Sequence, residues 1–240
     1  MRKNLILPSL LIVALFLFAG CRQADGTSSE KDAPAPASTS TQQEAASAPA
    51  KPRVPDGCAP EFRALFDNAV VELHGEGDLD VVIVTDPLCW HCRLADKLLR
   101  EYPKLYGRLR LSFFPRRSFI GSDMAAWVLE DAAGSDRLEE LVKFAYNDLK
   151  QPKTKDLMEA RMLVLAQFAK AFPMLLNGTT LEKLYVRLQQ ERELHVLESA
   201  MLGKAAHLPG TPILVAGDKV VLGFGPDVWL KVLDEAKMCK

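Results

Sequence analysis

Residues 81–92 read VVIVTDPLCWHC, and this stretch decides both the fold and the chemistry of the chain. Its first half, Val81 to Val84, is an apolar, β-branched run of the kind that forms a buried strand. Its second half ends in two cysteines, and the residues after them carry leucines at helical spacing up to Pro103. The sequence therefore places Cys89 and Cys92 where a strand meets the N-terminus of a helix.

Two thiols separated by two residues can close into a disulfide. At a helix N-terminus, the helix dipole and the free backbone N–H groups stabilise a thiolate and lower its pKa. We expect Cys89 to be the exposed nucleophile and Cys92, one turn into the helix, to be the less accessible resolving thiol. His91 favours the thiolate if it supplies an imidazolium or N–H donor, and otherwise only fills a solvated turn. Trp90 either offers an apolar face to substrate peptides or packs on the domain.

Strands and helices alternate around this motif in the predicted α/β fold. Gly217-Asp218 is a strong two-residue hairpin signal, and Pro226 suits the first turn of a final helix. Between the two β regions, residues 122 to about 206 are predicted to be almost entirely helical. The predicted order is thus β-α-β, helices, β-β-α. The predicted elements are helix 60–68, strands 70–73 and 80–85, helix 90–102, strand 109–114, strands 213–216 and 219–222, and a helix from Pro226.

Three helix starts are predicted in the helical region. Ser122-Asp123 and Ser135-Asp136 are candidate N-termini, and Thr179-x-x-Glu182 fits a capping box. The helix after this box carries apolar residues that we expect to pack in the core, with a phase shift partway along. These residues are Leu181, Leu184, Tyr185 and Leu188, followed by Leu194, Leu197 and Met201.

Three segments of the chain resemble the periplasmic disulfide isomerases DsbC and DsbG, within the wider DsbA-like superfamily. The first runs from Thr85 to Cys92 and the second is Phe114-Pro115-Arg116. The third begins at Gly210-Thr211-Pro212 and continues in order and spacing through Val215, Gly223, Pro226 and Leu233-Asp234-Glu235. The resemblance implies a thioredoxin fold with a helical insertion, and the activity of a thiol:disulfide oxidoreductase.

The same resemblance implies how the site works. Cys89 would be the nucleophile, Cys92 the resolver, and Pro212 a cis proline that faces the disulfide. A cis X–Pro bond exposes the preceding backbone, so Thr211 would pair with an extended substrate strand. The implied partners are cysteine-containing exported proteins and a membrane redox protein of the DsbB or DsbD type. The redox-active disulfide itself serves in place of a bound cofactor.

Three features depart from the resemblance. The isomerases carry an N-terminal dimerisation domain, whereas a lipidated low-complexity tether is predicted in its place here, so we expect a monomer. The Trp90-His91 pair resembles the histidine-bearing motif of the oxidase DsbA, whereas the isomerases usually have Tyr before the second Cys. Ile83 stands where thioredoxins bury an acid, which leaves His91, water and Asp86 as candidates for proton transfer. The direction of exchange, as oxidase, isomerase or reductase, stays open.

The N-terminal residues are typical of a bacterial lipoprotein. Residues 1–20 form a signal peptide with a basic start and an apolar run, and Phe18-Ala19-Gly20-Cys21 resembles a lipobox. We expect lipidation of Cys21, with a plain secretory signal as the alternative. Residues 21–57 contain no aromatic residue and form a predicted disordered tether with an end-to-end distance of roughly 30–35 Å. Position 22 is Arg rather than the Asp that signals retention in the inner membrane, which favours the periplasmic face of the outer membrane.

The remaining cysteines and the net charge of the chain limit which other functions are possible. The predicted domain covers 58–240, with its insertion at about 121–206, and Cys58 and Cys239 flank it as a structural disulfide or as free or accessory thiols. The net charge of -1 predicts no attraction to nucleic acid. A single Cys-x-x-Cys pair predicts no zinc site. The alternative function is a copper(I)-binding chaperone, because thiolates near a histidine select copper(I), or a non-catalytic thioredoxin-like binding module.

Overall fold

The computed structural model of the protein describes residues 58–239. Residues 1–57, which carry the predicted signal peptide, Cys21 and the tether, lie outside the described part. The elements are α1 (Pro60–Asn68), β1 (Val71–His74), β2 (Asp80–Thr85), α2 (Trp90–Glu101), β3 (Arg108–Phe113), α3 (Ser122–Asp131), α4 (Leu138–Asn147), α5 (Leu157–Ala171), α6 (Leu181–Ala205), β4 (Ile213–Ala216), β5 (Lys219–Leu222) and α7 (Pro226–Glu235).

Strand β2 lies at the centre of a five-stranded sheet with the order β1-β3-β2-β4-β5. It pairs in parallel with β3 and antiparallel with β4. Helix α2 makes the crossover that a parallel pair requires. Because β2 has neighbours on both edges and is buried at every position after Asp80, its sequence is a continuous apolar run.

The two faces of β2 belong to two apolar clusters. Val81 and Ile83 lie in the larger cluster, together with residues of α2 and of the helical insertion. Val82 and Val84 lie in a smaller cluster that includes Phe62 of α1. Both faces of the strand that leads to Cys89 are therefore covered, which holds the end of β2 in place.

The order of elements is the predicted one, and the differences concern their ends. Strands β1 and β3 each lie one residue away from their predicted ranges. Helix α4 begins at Leu138, because Ser135 instead closes a turn through a hydrogen bond from its hydroxyl to the carbonyl of Ala132. The prediction of a capping box at Thr179 was wrong by one residue. The N-cap is Thr180, whose hydroxyl accepts the backbone N–H of Lys183 at 3.3 Å.

The second half of α6 contradicts the prediction that its apolar residues pack in the core. Leu194, Leu197 and Met201 are 69%, 55% and 65% exposed. The buried face there contains Ser199, whose hydroxyl donates to the side-chain oxygen of Asn68 at 2.8 Å. The imidazole of His195 also hydrogen-bonds Asn68, through its backbone oxygen. These contacts set the rotation of α6 so that the three apolar side chains face solvent.

The two ends of the described chain meet. Cys58 and Cys239 are joined by a disulfide, with a Cα–Cα distance of 5.2 Å and a sequence separation of 181. The N–H of Ala59 donates to the carbonyl of Gly217 at 2.8 Å, which places the start of the domain beside the β4–β5 hairpin. Within residues 58–239, no helix combines the length and the apolar character needed to cross a bilayer.

Removal of this disulfide should lower stability. A bond that closes so long a loop restricts the unfolded chain, so replacing both Cys58 and Cys239 by Ser should cost roughly 2–5 kcal/mol of unfolding free energy. Urea denaturation of the wild type and of the double variant measures the difference. An unchanged midpoint would show that the bond contributes nothing to stability.

Candidate active site

Cys89 is the N-cap residue of α2 and has an extended backbone conformation. Strand β2 ends at Thr85, and the tight turn that follows is closed by the N–H of Cys89, which donates to the carbonyl of Asp86 at 3.0 Å. The carbonyl of Cys89 accepts the N–H of Arg93, the first turn of the helix. The sulfur of Cys89 therefore lies at the positive end of α2, as predicted.

Both cysteines of the motif are buried, which corrects the expectation that Cys89 is exposed. Cys89 is 4% exposed and Cys92 is 1% exposed. The loop before β4 covers Cys89, whose sulfur lies 3.8 Å from the carbonyl oxygen of Thr211. Cys89 still has more of its surface in contact with solvent than Cys92.

The pKa values of the two thiols move in opposite directions. The pKa of Cys89 is lowered to about 5, mainly by a hydrogen bond from the Cys92 thiol, and the backbone N–H groups of Cys92 and His91 contribute to this lowering against the effect of burial. Burial raises the pKa of Cys92 far above its usual range, and the neighbouring Cys89 adds to this. At neutral pH the reduced pair therefore contains a Cys89 thiolate and a Cys92 thiol.

Thr211 faces this pair from the opposite side of the site. The Thr211–Pro212 peptide bond is cis. Among the residues that the structure describes, the buried Thr211 hydroxyl has no hydrogen-bond partner, and its position beside the two cysteines lowers the pKa of both of them. This hydroxyl can donate to the Cys89 sulfur once that sulfur ionises.

The two residues between the cysteines both point away from the protein. Trp90 is 66% exposed, so it does not pack on the domain. The His91 imidazole is also exposed and makes no hydrogen bond to any residue in the range 58–239. Its contribution to Cys89 comes from its backbone N–H rather than from its ring. Within residues 58–239, the His91 imidazole therefore does not make the expected contact with Cys89.

Asp86 is a fully buried carboxylic acid next to the motif. Its two carboxylate oxygens accept the backbone N–H groups of Leu88 and Arg116, each at 2.9 Å. Burial raises the pKa of Asp86 to about 7, although these two N–H groups lower it. The side chain thus joins the active-site turn to the loop after β3 and titrates near neutral pH.

A second polar group lies beneath Cys92, and the sequence does not reveal it. The hydroxyls of Thr85 and Tyr146 are 2.9 Å apart, and Tyr146 comes from α4 in the insertion. Cys92, Tyr146 and Asp96 line a cavity of about 10 Å³ next to this pair, which is close to the volume that one water needs. Tyr146 follows Cys92 by more than fifty residues in the printed sequence, so no local pattern indicates the contact.

Arg93 joins the insertion to the active-site turn. Its guanidinium donates to the carbonyl of Pro87 at 2.9 Å and also to the carbonyl of Leu149, just after α4. Within residues 58–239, no group of three or more His, Cys, Asp or Glu residues is arranged to hold a metal ion.

Comparisons with known proteins identify solved structures with a similar fold. No family model matches the chain, and no curated protein matches it. A thioredoxin-like oxidoreductase from Silicibacter pomeroyi is 24% identical, with a TM-score of 0.52, covering 72% of this chain and 94% of that one. The thiol-disulfide exchange protein α-DsbA2 from Wolbachia pipientis is 15% identical, with a TM-score of 0.51, covering 74% and 94%. BdbD from Bacillus subtilis is 19% identical, with a TM-score of 0.54, covering 76% and 97%.

These neighbours are DsbA-like and thioredoxin-like proteins, and the more specific likeness to DsbC and DsbG stays a prediction. The predicted fold class is confirmed: the chain has a thioredoxin fold with a helical insertion between its β-α-β and β-β-α parts.

Proposed function

We propose that the protein is a thiol–disulfide oxidoreductase that exchanges disulfides with exported proteins through Cys89 and Cys92. The observation that carries this proposal is the asymmetric pair at the start of α2. The pKa of Cys89 is lowered to about 5, whereas burial raises that of Cys92. Two of the similar structures are named for thioredoxin-like oxidoreductase or thiol-disulfide exchange activity, which supports the proposal.

The exchange begins with the pair in its disulfide form. A substrate thiolate attacks the sulfur of Cys89, the Cys89–Cys92 bond breaks, and Cys92 leaves and takes up a proton. The second substrate thiol, after losing its proton, attacks the substrate sulfur of the mixed disulfide and expels Cys89. Two electrons pass from the substrate to the pair, and the substrate leaves with a disulfide.

The pKa values favour this oxidising direction. A thiolate with a low pKa is a good leaving group, so the substrate expels Cys89 readily. The reverse release requires attack by Cys92, whose thiolate is scarce because burial raises its pKa. A stabilised reduced form also makes the disulfide a stronger oxidant.

The proposed location follows from the N-terminal sequence. Signal cleavage before Cys21 and lipidation of its thiol would hold the domain at the periplasmic face of a membrane, with the outer membrane favoured by Arg22. A partner of the DsbB type would reoxidise the pair, whereas one of the DsbD type would serve a reducing role. Residues 21–57 would let the domain reach exported proteins near the membrane surface.

Substitution of the two cysteines separates their roles. Cys89→Ser should abolish oxidation of a dithiol peptide, because Cys92 alone cannot form the disulfide that the substrate attacks. In a reduced Cys92→Ser variant, Cys89 challenged with a substrate disulfide should form a mixed disulfide that persists, because the resolver is missing. Turnover rates and non-reducing mass spectrometry measure the two outcomes. Full activity of Cys89→Ser would contradict the mechanism.

The buried Asp86 predicts a pH-dependent stability. Its folded-state pKa is about 7, against an ordinary value of 3.8, so between these pH values the folded form keeps a proton that the unfolded form has lost. The protein should therefore lose stability as pH rises through this window. Asp86→Asn removes this loss, so its stability relative to the wild type should increase from pH 4 to 7 and then level off.

This comparison uses the oxidised protein, in which Cys89 and Cys92 do not titrate. Denaturation curves at a series of pH values give the difference between variant and wild type. Asp78→Asn, at an exposed acid, is the matched control and should show no such trend. A difference that is independent of pH for Asp86→Asn would mean that Asp86 keeps its ordinary pKa.

A further inference from the structure

A cavity of about 390 Å³ opens where the insertion meets the loop after β3. Its walls come from that loop, from the N-termini of α3 and α5, and from the second half of α6. Trp127 of α3 contributes an aromatic side chain, and the other apolar walls include Phe114, Phe119, Ile120, Leu157, Val196 and Leu197. We call this cavity the insertion groove.

The apolar surface of the insertion groove extends onto the outside of α6. Leu157 and Leu197 line the groove and are 46% and 55% exposed. Leu194 and Met201 lie about one turn away from Leu197 on either side, and both are more than half exposed. Large apolar side chains grouped at a groove mark interaction sites more often than single exposed ones do.

The charge of the insertion groove is positive. Its two carboxylates, Asp123 and Glu193, are both held by Arg161, whose nitrogens lie 2.8 Å and 3.1 Å from them. Arg116, Arg117 and Lys204 also line the groove, are exposed, and form no ion pair within the described range of the chain. The unpaired charges that a ligand meets are therefore cationic.

The insertion groove shares a residue with the active site. The backbone N–H of Arg116 donates to the carboxylate of Asp86 at 2.9 Å. Its guanidinium lies beside Gly210, where an added Cβ would be 3.3 Å from Nη1. Gly210 directly precedes Thr211, which contacts the sulfur of Cys89. The positive wall of the groove therefore adjoins the loop that covers the nucleophile.

We propose that the insertion groove binds a polypeptide segment of the substrate protein that combines apolar side chains with Asp or Glu and lies near its reacting cysteine. This inference rests on the proposed function and adds the substrate class. Apolar side chains fill the groove, and acidic ones meet Arg117 and Lys204 at its rim. A polypeptide fits the location, because a chain whose cysteine is bonded to Cys89 has its neighbouring residues within reach of Arg116.

The test measures the rate at which single-cysteine peptides reduce the Cys89–Cys92 disulfide of the full-length protein. Two peptides react for each disulfide: the first forms the mixed disulfide with Cys89, and the second expels Cys89 and leaves as a disulfide-linked peptide dimer. One peptide carries Leu and Glu on both sides of the cysteine, a second replaces each Glu by Lys, and a third replaces each Leu by Ser. Each rate is divided by the rate of the same protein variant with glutathione, which is too small to fill the groove. The wild type should prefer the Glu peptide to the Lys peptide by about tenfold at low salt, and less at high salt.

Variants of the insertion groove should change this preference. The double variant Arg117→Glu, Lys204→Glu should abolish or reverse it. Lys97→Glu, Lys231→Glu makes the same change of charge at two other exposed lysines and should leave the ratio unaltered. Leu197→Gln should lower the normalised rate for the Leu-containing peptides by about fivefold. Val228→Gln, at an equally exposed apolar residue of α7, should not.

The opposite results overturn the inference. Equal normalised rates for the Glu and Lys peptides, or a preference for the Glu peptide that survives the groove variants, would show that the groove does not bind substrate. The proposed function would still stand in that case, provided that the protein exchanges disulfides with glutathione. Loss of binding to anionic lipid vesicles in the groove variants, with peptide rates unchanged, would assign the groove to lipid instead. Absence of exchange with glutathione and with every peptide would overturn the proposed function and this inference together.

Discussion

The sulfur of Cys89 lies between the N-terminus of α2 and the loop at Thr211, and it accepts a hydrogen bond from the Cys92 thiol. Stabilisation of the Cys89 thiolate is the interaction on which the rest of the site depends. It requires β2 to end at a fixed point, because the turn from Asp86 to Cys89 sets where the helix begins. It also requires a buried partner, because a solvated Cys92 would not hold its proton as tightly. The end of the sheet, the turn and the cis-proline loop come together at the sulfur of Cys89 and so satisfy both requirements.

The helical insertion contributes to the site more than its distance in sequence suggests. Tyr146 forms the polar pair beneath Cys92 together with Thr85, and Arg93 joins the active-site turn to the end of α4. On the other side, α6 and the loop after β3 form a groove whose wall includes Arg116. The insertion therefore shapes both the interior beneath the resolving thiol and a surface beside the nucleophile.

Much of the fold could be predicted because its signals are local. A continuous apolar run, two cysteines at a helix start, a Gly-Asp hairpin turn and Pro226 each determine a few neighbouring residues. The failures concern contacts between distant residues. Leu194 and Leu197 follow a helical apolar pattern, yet the bonds from His195 and Ser199 to Asn68 turn them outward. The burial of Cys89 by Thr211 and the contact of Tyr146 with Thr85 likewise depend on segments that only the folded chain brings together.

The oxidising role of the Cys89–Cys92 pair is tested most directly by its redox equilibrium against glutathione buffers, measured in the full-length protein. Stabilisation of the reduced form by the Cys89 thiolate predicts an oxidising potential, in the range of about −120 to −180 mV. A potential near about −270 mV would contradict the oxidising role, because it is typical of a reductase. A pair that never forms a disulfide would contradict the exchange function itself.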